Sequence, residues 1–332
     1  MVLLVPFLPA AAQPGACDQL TIDHYQSADC DAEMAAAPDL PVRPLEVDED
    51  LLTNYTYLQI ITDQPVTVFD APDGNELYSI APGFNFVTLL EDAGEWVEIA
   101  PGEWLPASAL EAVTPSRFAG ALFDEPPPRP VGWTVVNMYA SKRPDGPPIY
   151  DEAHFLSQYS LVSIYATVTV DGLDWYLVGP DQWVKQHNMG IAWEVERPYQ
   201  VQGRWVAIDL YEQTLVAYEN DTLVFATLVS TGITGFFTRT GTFQVWGRRL
   251  HGPMMGAEGQ PDYYNIANVP FAQYFDGHTS LHGTYWHDGF GYRHSHGCVN
   301  LSLTDAHWLY DWLGVEGWVH VYYTRPYDMP SS

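Results

Sequence analysis

The sequence predicts a mainly β protein with two or three domains. Its 332 residues exceed the size of one typical domain. Short runs of alternating apolar and polar residues are separated by turns, and the 26 glycines and 26 prolines are typical of a turn-rich chain. Because hydrophobic residues make up 47% of the chain, real cores can form.

The charge distribution excludes one class of partner. The net charge is −29, with 30 acidic and 7 basic residues in positions 1–202 and 12 acidic and 6 basic residues in positions 203–332. A surface that binds nucleic acid needs clustered Lys and Arg, and the only lysines are Lys142 and Lys185. We therefore expect no nucleic-acid partner and interpret the acidity as a solvated surface.

Residues 1–16 predict a signal segment and an exported protein. Met1–Ala12 is an apolar run that ends in small residues. It is shorter than the ~20 residues that span a bilayer but suits the core of a secretion signal, although no basic leader precedes it. Cys17 and Cys30 could close a disulfide loop, and Cys17 could alternatively be lipidated, which leaves Cys298 as the free thiol.

The middle of the chain contains an internal repeat. Two tryptophans stand eight residues apart in Trp96–Trp104, and the same pattern recurs in Trp175–Trp183, displaced by 79 residues. Both copies resemble bacterial SH3-like modules, which are small β-barrels. The tryptophans could form a ligand-binding face or pack the two cores. The predicted divisions are an acidic tether at 17–52, repeat 1 at 53–113, a Pro-rich linker at 114–132 and repeat 2 at 133–193.

The last part of the chain, residues 203–325, predicts a third domain of hairpin strands with one helix. Alternating runs begin at Trp205, Thr214 and Thr222. The helix has a start of the capping-box type at Ser302 and a stop at Gly314.

This domain contains a cluster of residues suited to nucleophilic catalysis. The string Ser295-His296-Gly297-Cys298-Val299-Asn300 follows His282-Gly283-Thr284, and Cys298 stands sixteen residues after His282. A thiol attacks only as thiolate, so it needs a neighbouring base. Backbone N–H groups near a glycine can hold the oxyanion that forms on attack.

These motifs resemble the signature of the L,D-transpeptidases, cysteine enzymes that cross-link bacterial cell walls. The resemblance runs from about Arg204 to about Tyr323 and implies a β-sandwich with one helix after the catalytic cysteine. It implies that Cys298 is the nucleophile and His282 the general base. It places His296 and Gly297 in the site, with the Cys298 N–H contributing to an oxyanion hole.

The resemblance also implies substrates and further site residues. The expected partners are peptidoglycan stem peptides and carbapenem-type inhibitors, and the expected location is outside the cell or at the wall. No cofactor and no required metal are expected. Substrate-binding candidates are Ser295, Gly283, Asn300, Met255, Tyr274 and Trp286. For the last three, plain packing is an open alternative.

Other functions need weighing. The nearby histidines His278, His287, His294 and His307 raise a metal site, but no H-E-x-x-H or Cys-x-x-Cys is present. In a papain-like wall peptidase the cysteine precedes the histidine and opens a helix, whereas here His282 comes first. An L,D-carboxypeptidase and a non-catalytic wall-binding protein are further alternatives. We expect residues 53–193 to position the enzyme on the wall without taking part in the chemistry.

Overall fold

The computed structural model describes residues 15–38, 40–257, 259–260 and 262–325. The predicted signal segment lies outside the described residues except for Gly15 and Ala16. None of the helices within these ranges is long and apolar enough to cross a membrane.

Helices are few in the described part of the chain. The α-helices are α1 Ala28–Ala36, α2 Glu49–Thr53 and α3 Leu303–Leu313, and the 3₁₀ turns are Cys17–Gln19, Ala107–Ala109, Glu152–His154 and Gln186–Asn188.

Strands dominate, which confirms the mainly β prediction. In the first half they are β1 Val42–Pro44, β2 Tyr57–Ile60, β3 Val66–Phe69, β4 Glu76–Ile80, β5 Phe84–Thr88, β6 Glu91–Asp92, β7 Trp96–Ala100, β8 Glu103–Pro106, β9 Leu110–Val113, β10 Ala121–Phe123, β11 Val131–Thr134, β12 Met138–Tyr139, β13 Phe155–Leu156 and β14 Leu161–Ser163. In the second half they are β15 Ala166–Val170, β16 Leu173–Gly179, β17 Gln182–Lys185, β18 Met189–Ala192, β19 Arg204–Asp209, β20 Thr214–Glu219, β21 Thr222–Leu228, β22 Gly241–Gln244, β23 Gly247–Gly256, β24 Tyr264–Asp276, β25 Thr279–Gly283, β26 Val299–Leu301 and β27 Trp318–Tyr322.

The chain forms two compact units, and the first combines residues up to Leu40 with Pro128–Met189. Its core contains the Cys17–Cys30 disulfide, whose Cα atoms lie 4.6 Å apart, and the side chains of Trp175 and Trp183. Both tryptophans are buried, so in this unit they pack the core.

The prediction of an exposed tether at 17–52 is wrong for most of that stretch. Leu20 and Met34 join the disulfide in the core of the first unit. In the second unit β1 pairs with β10, and Leu51 and Leu52 of α2 are buried. Acidic composition suggested a solvated segment, but the few apolar residues between the charges are enough to anchor it.

The disulfide gives a testable expectation. Non-reduced, denatured protein should show one reactive thiol, that of Cys298. A Cys17→Ala/Cys30→Ala double variant should lose up to about 3 kcal/mol of unfolding free energy, because a loop of this length limits the entropy of the unfolded chain. Thiol titration and urea denaturation check both values. A thiol count of three in protein with native stability would contradict the pairing.

The second unit, Pro41–Pro127 with Gly190 onward, contains the candidate site. One seven-stranded sheet has the order β1-β10-β21-β20-β19-β27-β22, and a second contains β26-β25-β24-β5-β2-β9 with β23 paired to β24. Side chains of both sheets and of α3 form one core, which includes Val206, Ile208, Ile266, Leu281 and Leu309. This is the predicted β-sandwich.

The helix α3 forms where the sequence predicts it. The Ser302 side chain accepts a hydrogen bond from the Asp305 N–H at 3.1 Å, and Gly314 ends the helix with φ of 74°. Ala306, Leu309 and Leu313 are buried on the face that packs against the sheet strands.

The repeat recurs in the order of the elements. In each copy a tryptophan-bearing hairpin leads into a 3₁₀ turn and then a strand. The hairpin strand β8, the turn Ala107–Ala109 and β9 correspond to β17, Gln186–Asn188 and β18 at the same displacement of 79 residues. The likeness to SH3 modules stays a prediction.

The two copies have different surroundings. Repeat 1 adds β5, β2 and β9 to the sheet that contains β24 and β25. The predicted linker also contributes, since β10 pairs with both β1 and β21. Repeat 1 and part of the linker therefore belong to the same compact unit as the candidate site.

Candidate active site

Two parallel strands bring the signature residues together. In β25 and β26 the register places Leu281 beside Val299 and His282 beside Asn300. Leu281 and Val299 are fully buried in the core. Because successive side chains on a strand point to opposite faces, His282 and Asn300 lie on the other face, together with residue 280. Cys298 directly precedes β26.

The Cys298 thiol has two polar neighbours. Its Sγ lies 3.7 Å from the Ser280 hydroxyl and 3.9 Å from the His278 carbonyl oxygen. Burial raises the pKa of the Cys298 thiol, while hydrogen bonds from Ser280 act to lower it. The thiol is therefore protonated at neutral pH and needs a base to become a nucleophile.

His282 has the protonation state that a base requires. Burial lowers the pKa of His282 to about 4, against the smaller effect of a hydrogen bond to the Gly283 carbonyl. Its Nδ1 lies 3.1 Å from that carbonyl oxygen, which can only accept. The ring therefore carries its proton on Nδ1, and Nε2 is free to take a proton. The Gly283 carbonyl is the orienting group that the motif left unidentified.

Hydrogen bonds fix the turn before the cysteine. The Gly297 N–H donates to the Ser295 hydroxyl at 3.1 Å, and that hydroxyl donates to the Cys298 carbonyl. Thr238 donates to the Gly297 carbonyl at 2.9 Å. Gly297 has φ of 112°, a conformation that L side chains rarely adopt. Ser295 is thus a loop support, as the sequence predicts.

His296 lies between two aromatic rings. Its ring centroid is 4.4 Å from that of Phe236 and 5.1 Å from that of Tyr264, and its Nε2 is 3.6 Å from an Asp262 carboxylate oxygen. These contacts connect the cysteine turn to the hairpin of β23 and β24. They favour a shaping role for His296, and its part in proton transfer stays a prediction.

Asn300 supports a second buried imidazole, that of His287. The Gly289 N–H donates to His287 Nδ1 at 3.2 Å, so the neutral ring carries its proton on Nε2. The Asn300 amide lies 3.0 Å from that Nε2, and its carbonyl oxygen is the atom that can accept there. Burial lowers the pKa of His287 to about 3, followed by the charges of His294 and His282.

These groups surround one cavity of about 320 Å³, a size suited to a small ligand or a peptide segment. Of the predicted site residues it is lined by Cys298, His282, His296, Ser295, Asn300 and Trp286. Gly283 and Gly297 support it through their backbones. The remaining described lining residues are Gly83, Phe84, Met254, Asp262, Tyr263, Tyr264, Ile266 and His294.

Two predicted residues are not brought to the cavity. Met255 is 63% exposed, and its neighbour Met254 lines the cavity instead. The alternation of side chains along β23 explains this one-residue difference. Tyr274 pairs with Trp246, with ring centroids 5.6 Å apart.

Sequence reasoning missed three other contributors. Ser280 stands two residues before His282 on the same strand, so period-2 alternation could have found it. Thr238 is 59 residues from the carbonyl that it binds, and Phe84 belongs to the first repeat. Nothing local in the sequence points to these two.

The histidines raise the question of a metal. Within the part of the chain that the structure describes, no group of three or more His, Cys, Asp or Glu side chains has the arrangement of a metal site.

Comparison with known proteins identifies part of the chain. Residues 203–321 match the family model of YkuD, described as the L,D-transpeptidase catalytic domain. A search of curated proteins finds no significant match.

Three solved structures show the extent of the similarity to known L,D-transpeptidases. An enzyme from Stackebrandtia nassauensis is 28% identical over 41% of this chain and 62% of its own, with a TM-score of 0.33. The Enterococcus faecium C442S mutant is 19% identical over 40% and 55%, with a TM-score of 0.35. LdtMt1 in complex with imipenem is 17% identical over 42% and 72%, with a TM-score of 0.35.

The chain thus spans less than two thirds of the first two of these structures. The assignment rests on the family match and covers only the C-terminal part of the molecule. Residues 203–321 carry the YkuD domain, the L,D-transpeptidase catalytic domain.

Proposed function

We propose that this protein is a cell-wall L,D-transpeptidase that works through a thioester on Cys298. The observation that carries the proposal is the single cavity lined by Cys298 and His282 within the YkuD domain. The proposed acyl donor is a peptidoglycan stem tetrapeptide, and the proposed location is outside the cell or at the wall. The Cys17–Cys30 disulfide supports export, because such bonds persist in oxidising compartments.

In the first half-reaction, His282 Nε2 takes the thiol proton while Cys298 Sγ attacks the carbonyl of the third stem residue. A C–S bond forms, and the carbonyl oxygen takes the negative charge. The predicted holder of this oxyanion is the Cys298 N–H. The C–N bond to the terminal D-alanine then breaks, and the departing amine receives the proton from His282.

In the second half-reaction, an acceptor amine attacks the thioester carbonyl and gives its proton to His282. The C–S bond breaks, and the thiolate regains the proton as the product leaves. An amine of a second stem gives a cross-link, a protein amine gives an anchored protein, and water gives carboxypeptidase products. Carbapenem-type inhibitors are the proposed alternative acylating agents of the same thiol.

The surroundings of Cys298 count against a papain-like wall peptidase. In that class the nucleophile opens a helix, whereas Cys298 leads into strand β26, and α3 begins only at Leu303. A non-catalytic wall-binding protein would not need a neutral buried imidazole in the same cavity as a free thiol.

The test is turnover of a purified stem tetrapeptide, with and without an added amine acceptor, and identification of the products by mass. Release of D-alanine with formation of an amide to the acceptor supports transpeptidation. Release of D-alanine with tripeptide alone supports a carboxypeptidase. Cleavage elsewhere in the stem, or no turnover, would refute the proposal.

A further inference from the structure

One wall of the catalytic cavity lies outside the YkuD domain. Gly83 and Phe84 line the cavity together with Cys298 and His282, although they belong to repeat 1. The family match begins only at residue 203. A role limited to placing the enzyme on the wall does not account for this contribution.

Backbone pairing fixes this wall in position. Strand β5 runs parallel to the start of β24, with Phe84 beside Tyr264 and Phe86 beside Ile266. The Phe84 N–H donates to the Tyr263 carbonyl at 3.0 Å. Because Tyr264 and Ile266 also line the cavity, β5 extends the same sheet edge that forms the site.

The approach of the two backbones requires a glycine. A Cβ atom at Gly83 would lie 2.5 Å from the Tyr263 carbonyl oxygen, closer than real Cβ contacts allow. The turn before β5 can therefore reach the hairpin only because residue 83 has no side chain.

Aromatic packing supports the wall from behind. Phe86 is buried, and its ring centroid lies 4.6 Å from that of Phe84 and 6.3 Å from that of Trp286, which lines the cavity. Tyr57 of the same repeat stacks on Tyr285 with centroids 3.7 Å apart. Phe84 is thus held by its neighbours while 44% of its surface stays exposed.

The chemical character of this wall indicates what it contacts. Phe84 shares the cavity with Met254, Ile266 and Trp286, all apolar. The described lining residues include the carboxylate of Asp262 and no Lys or Arg. An uncharged, apolar part of a ligand suits this wall, since contact with the exposed phenyl ring removes apolar surface from water.

We infer that Phe84 is a substrate-positioning residue, which presents an apolar surface to the acyl donor in front of Cys298. The inference rests on the proposed function, because it concerns the donor of that same site. Specificity of the cavity then depends on repeat 1 as well as on the YkuD domain.

The first experiment needs no transpeptidase activity. Cys298 is the free thiol of the protein, so alkylation reports on this cavity alone. We measure rate constants for N-benzylmaleimide and N-methylmaleimide on full-length wild type and on Phe84→Ala, Phe84→Leu and Leu90→Ala proteins. Leu90 is the matched control, since it is 56% exposed in the same repeat and lies outside the cavity.

Phe84→Ala should lower the benzyl-to-methyl rate ratio by about three- to tenfold, because the benzyl group loses an apolar contact. Phe84→Leu should restore part of the ratio, and Leu90→Ala should leave it unchanged. An unchanged ratio, or an equal loss of both rates with Phe84→Ala, would overturn the inference, since either result means that the ring offers no selective contact.

The second experiment uses the stem tetrapeptide. Phe84→Ala should raise KM several-fold with little change in kcat and in thermal midpoint, and Phe84→Leu should partly restore KM. If wild type turns over no stem peptide but the alkylation ratio still depends on Phe84, the proposed function fails and the cavity wall stands. If wild type is active and KM does not respond to Phe84, the inference fails alone.

Discussion

His282→Ala protein should form the acyl-enzyme about 10²–10⁴-fold more slowly than wild type at pH 7. The buried Cys298 thiol has a raised pKa, so almost no thiolate exists without a base. The Gly283 carbonyl holds the proton of His282 on Nδ1, which leaves Nε2 to accept the thiol proton. Stopped-flow or quenched mass measurement of acylation checks the rate.

The pH dependence separates this account from a preformed ion pair. Because the pKa of His282 is lowered to about 4, the base stays neutral as pH falls through 6.5, and wild-type acylation should persist down to about pH 4 to 5. The His282→Ala rate should rise with pH and recover partly only above the ~8.5 of a free thiol.

A matched control for this prediction is His24→Ala, since His24 is an exposed histidine of the first unit. It should acylate like wild type. A wild-type rate that falls tenfold per pH unit below 6.5 would contradict the lowered pKa. A fast His282→Ala enzyme at pH 7 would contradict the role of the base.

Asp305→Ala should cost about 3–5 kcal/mol of unfolding free energy. The Asp305 carboxylate is fully buried and accepts from the Gly120 N–H at 2.8 Å and from the Thr227 hydroxyl. Removing it leaves two buried donors without a partner, each of which costs roughly 1–3 kcal/mol. This contact joins α3 to the segment that leads into β10.

The isosteric Asp305→Asn change adds a pH signature. Burial raises the pKa of Asp305 to about 6, above its usual value. Wild type therefore loses stability, relative to Asp305→Asn, as pH rises from about 4 to 6, and the difference is constant above that range. Urea denaturation at several pH values measures it.

Asp311→Ala is the control on the same helix, because that side chain is 73% exposed. It should change the free energy of unfolding by less than about 0.5 kcal/mol. An Asp305→Ala protein as stable as Asp311→Ala would show that the buried carboxylate does not hold α3 in place.

Much of this site could be predicted from the sequence because its main parts are local. The string around Cys298 and the histidine sixteen residues earlier form adjacent parallel strands, and the helix cap at Ser302 needs only three residues. Side-chain alternation then puts His282 and Asn300 on one face. The error at Met255 came from the same rule, since the strand phase was not known to within one residue.

What the sequence could not predict depends on pairing between distant segments. Phe84 reaches the cavity through a parallel register 180 residues apart, from Phe84 to Tyr264. Thr238 meets Gly297 across 59 residues. The supposed tether was misread because its charges outnumber its apolar residues, whereas burial of Leu20, Cys30 and Met34 fixes it.

The measurement that tests the central claim most directly is intact mass after incubation with a carbapenem or a stem tetrapeptide. Wild type should gain one adduct, and peptide mapping should place it on Cys298. Cys298→Ala protein, which keeps every other group of the cavity, should gain none at any pH. An adduct on Cys298→Ala protein, or an unmodified wild type that nevertheless turns over the tetrapeptide, would contradict a thioester mechanism at this cysteine.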